Sequence, residues 1–354
     1  MKPPVRYSDD LEQIDPGEGE VAQEMLAAFD HILKTTNKDM GHAVRAVHAK
    51  AHAVLEGEMA IDSFLPPELA QGIFARPGRL KAWLRISTNP GDIISDKVSL
   101  PRGLALKVGG VRGERLPEAE GDTQDFLLVN SPVFGAPKAK DFAGQLKLIS
   151  KTTDRAEGGK VALSKVLQTV NGALGAVGLH AKALDAIGGA PQVHPLGETY
   201  FSVTPFRYGD YVAKFRLRPL SPSLTRLTGA VIDTSGGENP IRRRMQQDMA
   251  ALDGEWAFEV QLLRDPAAQP VEDATVEWPE DQAPFVQVAK LVVPAQDSWD
   301  DRRVMQVDEM MRFSPWTGLA AHRPLGSINR ARRPAYPHSA DFRAAINGCP
   351  IHEP

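Results

Sequence analysis

The sequence has almost no cysteine, and neither sign of charge dominates it. Cys349 is the only cysteine among 354 residues, so the chain can form neither an internal disulfide nor a thiolate metal cluster. Its 41 lysines and arginines are scattered among 45 aspartates and glutamates, which leaves no basic stripe for nucleic acid or an anionic membrane. We therefore expect a protein of a reducing compartment, the cytoplasm, that does not bind nucleic acid.

Long apolar runs and common catalytic signatures are missing as well. The first twenty residues, MKPPVRYSDDLEQIDPGEGE, are polar and acidic and do not resemble a secretory signal. The most apolar window, 170–189, is broken by glycines and by four polar or charged residues, so it predicts a buried or interfacial helix and no integral membrane segment. No GxSxG, P-loop or HExxH pattern occurs, which removes the usual hydrolase, nucleotide and zinc-protease assignments.

Hydrophobic periodicity predicts an α+β fold. Apolar residues recur at helical spacing over 20–34, which predicts an amphipathic helix. Later segments alternate with period two and predict strands: 81–88, 103–108, 125–131, 198–206, 212–220, 255–263 and 286–293. Further predictions are a helical insertion over 138–187, a surface loop over 265–284, and helices near 301–313 and 327–346.

These elements predict a single domain over residues 1–354. About eight antiparallel strands at 78–295 would close into a β-barrel, because closure removes exposed strand edges; a sandwich is the alternative. A helix and a histidine-containing segment at 20–60 precede the barrel, and helices at 300–347 follow it.

The segment RAVHAK, residues 45–50, places His48 among apolar and basic residues. His48 can be a packed core residue, a metal ligand or an acid–base group, and these residues alone do not distinguish the three. His52 lies four residues later and His42 six residues earlier, so a metal site on one helix face is conceivable. No carboxylate or cysteine lies in ligand register with them, which makes the metal site the weaker interpretation.

The C-terminal segment HRPLGSINRARRPAYPHSADFR, residues 322–343, surrounds Tyr336 with arginines. Arg332 lies four residues before Tyr336, at the spacing of one helical turn, where a cation favours the phenolate. A ferric ion would favour the phenolate far more. A basic surface tail is the alternative interpretation.

Six fragments together resemble the landmarks of haem catalases, in the same order and with similar spacing. They are RAVHAK (45–50), LRIST (84–88), PRGLALK (101–107), DFLLVNSPVF (125–134), FRLRP (215–219) and RARRPAY (330–336). The resemblance covers about residues 20–345, and its specificity lies in the whole set, because each fragment alone is weak. The chain therefore resembles a short, catalase-related haem peroxidase.

The resemblance implies a ferric haem b and a role for each matching residue. His48 corresponds to the distal histidine, and Ser87 to the hydroxyl that orients its imidazole. Tyr336 corresponds to the proximal tyrosinate that binds the iron, and Phe142 to a phenylalanine over the haem face. The arginines that face the propionates or the proximal ligand correspond to Arg45, Arg85 and Arg332.

The sequence also departs from the catalase pattern. Val129 stands where catalases carry a distal asparagine, with Asn130 matching the neighbouring asparagine. Loss of that amide implies weak or absent catalase activity, and favours reduction of hydrogen peroxide or organic hydroperoxides by a small-molecule reductant. Pro334 interrupts the Arg332–Tyr336 spacing, and Pro337 is expected to end the helix after the ligand.

The chain is short at both ends relative to the catalase pattern, which implies a smaller or looser homo-oligomer and no intertwined arm. No motif for bound NADPH is found.

Two other functions stay open: processing of fatty-acid hydroperoxides, with the 170–189 helix accepting the lipid chain, and a non-catalytic haem carrier or sensor. Val47 precedes the histidine as in catalases, and so gives no support to allene-oxide-forming relatives.

Overall fold

A closed antiparallel β-barrel forms the centre of the molecule. A computed structural model describes residues 1–150 and 192–354. Its nine strands are β1 (Ala51–Ile61), β2 (Gly78–Thr88), β3 (Arg102–Val108), β4 (Gln124–Val129), β5 (Tyr200–Phe201), β6 (Phe206–Tyr208), β7 (Tyr211–Pro219), β8 (Gly254–Leu262) and β9 (Val286–Val293). Eight of them pair in a ring, β1-β2-β3-β4-β5-β7-β8-β9, which β9 closes by pairing with β1, and β6 pairs only with β7. The prediction of an antiparallel barrel of about eight strands is confirmed.

The inside of the barrel is filled by apolar and aromatic side chains. Phe258 packs against three other phenylalanine rings, at centroid distances of 5.3 Å to Phe74, 4.9 Å to Phe126 and 5.6 Å to Phe215. Buried His322 lies among the same rings, and burial lowers its pKa to about 3. The barrel interior is therefore part of the main apolar core.

Seven α-helices of the described residues surround the barrel. They are α1 (Glu18–Met40), α2 (Ala139–Ser150), α3 (Pro222–Thr225), α4 (Pro240–Met249), α5 (Asp301–Arg303), α6 (Ser327–Arg332) and α7 (Ala335–Asn347). Of these, α1, α2, α6 and α7 contact one another on one side of the barrel. A short π-helical segment, Val304–Glu309, follows α5. Apolar residues of α1, including Phe29 and Ile32, pack with residues of α2 and with Ala331 of α6 in a second core outside the barrel.

The outer face of β2, β3 and β4 is where the barrel meets these helices. Residues directly opposite on antiparallel strands project from the same face. Ser87 pairs with Gly103, which pairs with Val129, and Arg85, Ala105 and Leu127 are aligned in the same way one row over. Their neighbours along the strands, such as Leu84, Leu104 and Phe126, belong to the barrel core.

Several observed elements differ from the sequence prediction. β1 was not predicted, because both of its faces are covered: Leu55 lies in the barrel core and Val54 packs with Phe313 outside it. Burial on both faces removes the alternation that identifies a strand. The single strand predicted over 198–206 is two short strands, and the helix near 301–313 is α5 followed by the π-helical segment.

Part of the helical insertion predicted at 138–187 is observed as α2, whereas the rest, and the whole apolar window 170–189, lie outside the described residues. Among the described helices, none is long and apolar enough to cross a membrane.

Replacing Phe258 with alanine should destabilise the protein strongly, because it removes a ring from a closely packed interior. We expect the free energy of unfolding to fall by about 3–5 kcal/mol, measured by denaturant titration. The matched control is Phe64→Ala, since Phe64 is 97% exposed, and it should change stability by less than about 0.5 kcal/mol. Similar losses in both variants would contradict this packing.

Candidate functional site

A large cavity lies between the outer face of β2–β4 and the helices. Its empty volume is about 1280 Å³, including the space that is open to solvent. Both outward rows of the sheet line it, together with residues of α1, α2, α6 and α7. The residues predicted to form a site, His48, Ser87, Arg45, Arg85, Phe142, Arg332 and Tyr336, all line this one cavity.

His48 is held in an unusual backbone conformation at the cavity wall. Its φ is +54°, in the left-handed region that side chains other than glycine seldom adopt. Its N–H donates to the Asn89 carbonyl at 2.6 Å, and its own carbonyl accepts from Arg85 Nη1 at 2.8 Å. These two bonds fix the direction in which the imidazole projects.

The imidazole is oriented from two sides. Ser87 Oγ lies 3.3 Å from His48 Nδ1, close enough for a hydrogen bond. A Cβ atom placed on Gly103 would lie 2.4 Å from His48 Cε1, so the ring occupies space that only a glycine at 103 leaves open. Burial, with Arg85 and Arg332 nearby, lowers the pKa of His48 to about 3, so the ring is neutral at physiological pH.

Tyr336 lines the cavity from the helical side. Tyr336 is the second residue of α7. No hydrogen bond to its hydroxyl is found among the described residues. Burial raises the pKa of Tyr336, and Arg332 opposes this only in part, so the isolated phenol is neutral. Formation of a phenolate here requires a stronger cation than Arg332.

Arg332 and Tyr336 lie close together, but on two successive helices and not on one continuous helix. Arg332 is the last residue of α6, and Pro334 is the N-cap of α7. The helical hydrogen bonding is interrupted between the two helices because proline lacks an N–H. The guanidinium carbon of Arg332 lies 5.9 Å from the centre of the Tyr336 ring, and Nε and Nη2 donate to Asn329 Oδ1 at 3.1 and 2.6 Å. Pro337 does not end the helix, since it lies in the first turn of α7, where no backbone bond is lost.

One wall of the cavity carries three arginines, two buried and one partly buried, around the carboxylate of Asp308. Asp308 Oδ1 accepts from Arg45 Nη1 at 2.8 Å and from Arg85 Nε at 2.6 Å. Arg343 Nη1 donates to the carbonyl of Asp308 at 3.2 Å. Burial, together with Arg343 and Arg85, holds the pKa of Arg45 well below its usual range, whereas Arg85 and Arg45 outweigh burial and lower that of Asp308.

Arg343 and Asp308 were not identified from the sequence. Arg343 lies seven residues after Tyr336, two helical turns away and on the same face of α7, and this spacing could have revealed it. Asp308 lies in an irregular π-helical segment, for which the sequence offered no pattern.

The remaining lining is mainly apolar. Phe142 of α2 contacts Phe134 edge to face, at a centroid distance of 4.9 Å, and both line the cavity. Val129 ends β4 in the row of Ser87 and Gly103, so the position expected to hold an amide in catalases presents an isopropyl group. Val203, which follows β5, is a second valine of this wall.

The residues of the cavity fit a ferric haem. Three guanidiniums face the carboxylate of Asp308, with that of Glu309 nearby, so the arginine wall is net positive and suits a group that carries carboxylates. Tyr336 offers an oxygen ligand of the kind that haem iron accepts. Arg45, Arg85 and Arg343 would hold the carboxylates, and Tyr336 the iron.

The alternative metal site at the histidines is not observed. His52 is on β1, where its Nε2 lies 2.5 Å from Thr88 Oγ1, and His42 contacts Glu309 Oε2 at 3.0 Å. The described ranges, 1–150 and 192–354, contain no group of three histidine, cysteine or acidic residues placed to hold a metal ion. The helix face that the metal interpretation required does not exist, because β1 begins at Ala51.

The fold is similar to those of solved catalase structures. A fungal catalase aligns with a TM-score of 0.60 at 18% identity, over 89% of this chain and 62% of that one. Catalase A from Saccharomyces cerevisiae aligns with a TM-score of 0.59 at 15% identity, over 90% of this chain and 67% of that one. No family model and no curated protein matches the sequence. The chain therefore has a catalase-like fold and spans 62% of the length of that fungal catalase.

Replacing Gly103 with alanine should displace the His48 ring. The added Cβ would lie 2.4 Å from Cε1, so the imidazole has to rotate away from Ser87. We expect a changed set of His48 imidazole signals in ¹H–¹⁵N spectra. Gly78→Ala is the matched control on β2, where a Cβ meets nothing within 4 Å. Unchanged His48 signals in Gly103→Ala would contradict the described packing.

His48 should also make stability depend on pH. The unfolded residue binds a proton near its ordinary pKa of 6.5, and the folded one only near about 3. Between these values the unfolded state holds more protons, so this contribution is complete above 6.5 and is lost as pH falls toward 3. In His48→Gln, the slope of unfolding free energy against pH in this window should decrease by up to about 1.4 kcal/mol per pH unit. Parallel curves would contradict a buried, neutral His48.

Proposed function

We propose that this chain is a haem-dependent peroxidase, an oxidoreductase with weak or absent catalase activity. It would reduce hydrogen peroxide or organic hydroperoxides to water or the alcohol, and take two electrons from a small-molecule reductant. The observation that carries the proposal is the placement of His48, Tyr336 and three arginines around one large cavity. The catalase-like fold supports an activity of this class.

His48 would act as the acid–base group. A neutral imidazole can accept a proton, and the low pKa of His48 keeps it neutral over the physiological range. It would take the proton of the peroxide O–H and return it to the departing oxygen, so that the O–O bond breaks without leaving a bare oxyanion. Ser87 would keep the ring in the orientation that this transfer requires, through the 3.3 Å contact with Nδ1.

The opposite side of the cavity would hold the cofactor. Bound haem would supply the redox chemistry of peroxide reduction. Tyr336 would provide the anionic oxygen ligand, and it would lose its proton on binding because its phenol is neutral in the protein alone. Arg332 would place positive charge near the phenolate ring and favour the ionised form.

Val129 favours peroxidase activity over rapid dismutation. Dismutation requires a second hydrogen peroxide to be positioned in the cavity, and an isopropyl group cannot donate a hydrogen bond to it. An apolar wall instead favours a substrate with an alkyl or aryl group. Fatty-acid hydroperoxides are one such class, but the segment expected to accept a lipid chain, 170–189, lies outside the described residues.

A haem carrier is the competing function from another class. A carrier needs the iron ligand and the arginines, but it has no use for an oriented base. The glycine at 103, the serine at 87 and the left-handed backbone at 48 all serve the His48 imidazole. A carrier would not need an oriented imidazole, so these three features favour an enzyme.

Hemin titration and peroxide reduction test the proposal together. The purified chain should bind hemin with the Soret band of a tyrosinate complex, and Tyr336→Phe should weaken binding strongly. His48→Ala should keep hemin affinity close to that of the wild type while lowering the rate of peroxide reduction by about 10²–10⁴-fold.

His31→Ala, at an exposed histidine on α1, is the control and should behave like the wild type. Absence of hemin binding would rule out the cofactor. Full peroxide reactivity in His48→Ala would instead rule out the proton-transfer role and favour a carrier.

A further inference from the structure

Val203 has a backbone conformation that valine rarely adopts. Its φ is +51°, and only two other non-glycine residues of the described chain, His48 and Glu118, have positive φ. For a β-branched residue this conformation is a true outlier, because Cγ atoms collide with the neighbouring backbone. Val203 and His48 both line the same cavity, so two of these three residues lie at the candidate site.

The conformation belongs to a tight turn between β5 and β6. Thr204 N–H donates to the Ser202 carbonyl at 2.6 Å and closes a three-residue turn with Val203 at its centre. With positive φ at the central residue, such a γ-turn is rare and strained. The strand predicted across 198–206 is broken here, although valine, threonine and phenylalanine all favour a strand.

The surrounding structure fixes this turn from both sides. Ser202 Oγ accepts from Phe215 N–H at 3.0 Å and donates to the Thr204 carbonyl at 2.9 Å. The Pro205 carbonyl accepts from Leu325 N–H at 3.0 Å, which attaches the other end next to α6. A strained residue persists only where its surroundings over-determine it, and such residues cluster at functional sites.

The position of Val203 indicates what the strain serves. Val129 pairs with Phe201 of β5 in the antiparallel sense, and Val203 follows Phe201 by two residues, so continuing this register past β5 places Val203 alongside Leu127, the next outward residue of β4 after Val129. Both valines line the cavity, and Val203 is buried. They form an apolar surface in the cavity that also contains the polar His48 and Ser87.

We propose that Val203 is a specificity-determining residue, which its strained turn holds in the same cavity wall as Val129 so that hydroperoxides with an alkyl or aryl group are preferred over hydrogen peroxide. This inference rests on the proposed peroxidase function and names its substrate class. A substrate R–O–O–H would place R against the valines and the O–O–H group toward His48. Hydrogen peroxide has no R group and gains nothing from the valines.

The preference is tested with cumene hydroperoxide and hydrogen peroxide as probes, on the haem-loaded full chain. Val203→Ala and Val203→Gly should each lower the ratio of kcat/KM for cumene hydroperoxide to kcat/KM for hydrogen peroxide by about 10-fold. A change of this size is typical of removing one or two methyl groups from a pocket. KM for cumene hydroperoxide should rise, while the constants for hydrogen peroxide change little. Val212→Ala, at a fully buried strand residue outside the cavity, should leave the ratio unchanged.

The strain is tested without activity, by the melting temperatures of the haem-free variants. At an ordinary strand position glycine is less stable than alanine, and this order should hold for Val212→Gly against Val212→Ala. At φ of +51° the order should reverse, since glycine accepts this backbone and alanine does not. Val203→Gly should therefore melt about 1–3 °C above Val203→Ala.

Each outcome decides a separate point. An unchanged peroxide ratio in both Val203 variants overturns the specificity role even if the enzyme is active. The ordinary stability order at 203 overturns the strained turn. If the wild-type protein is inactive with both peroxides, the proposed function is overturned. The apolar wall is then tested by calorimetric binding of 2-phenylpropan-2-ol. Weaker binding to Val203→Ala than to the wild type supports the role of Val203 in this wall, and equal binding overturns that role.

Discussion

The site depends on the hydrogen bonds and ion pairs that join Asp308 to three arginines. The guanidinium partners of the Asp308 carboxylate come from the loop before β1 and from β2, and the carbonyl of the same residue binds Arg343 of α7. Three parts of the chain that are distant in sequence are thereby fastened together. Without this carboxylate, buried arginines would face one another, and uncompensated buried charge is costly. The loop that carries His48 and the helix that carries Tyr336 thus come to face one cavity.

The barrel contributes a surface, and its interior only supports that surface. The interior is filled by aromatic rings, while the outward rows of β2–β4 carry the arginine, serine, glycine and valine that line the cavity. A rigid sheet suits this purpose because adjacent strands fix the spacing of the rows. The backbone is irregular at His48 and Val203, which both have positive φ. At these two positions the backbone conformation sets the direction in which the side chain enters the cavity. Hydrogen bonds to neighbouring strands hold these two residues in place.

Most of the strands and the main site residues could be predicted from the sequence, because alternation and a set of ordered fragments are local features. His48, Ser87, Arg45, Arg85, Phe142, Arg332 and Tyr336 do line one cavity, although their roles stay proposals. β1 was missed because burial on both faces removes its alternation. The helix break at Pro334 was suspected, but the direction of Arg332 toward Asn329 could not be, since it depends on a contact made only after folding.

The sequence by itself determined the class of fold and which residues line the cavity, since periodicity follows from which faces are buried, and the ordered fragments are local features. Only the tertiary structure decided how these groups are arranged. Asp308 meets its arginines across more than 200 residues of chain, and the strain at Val203 opposes local strand preference. Neither feature leaves a local pattern, because each is stabilised by contacts between segments that are far apart in the sequence.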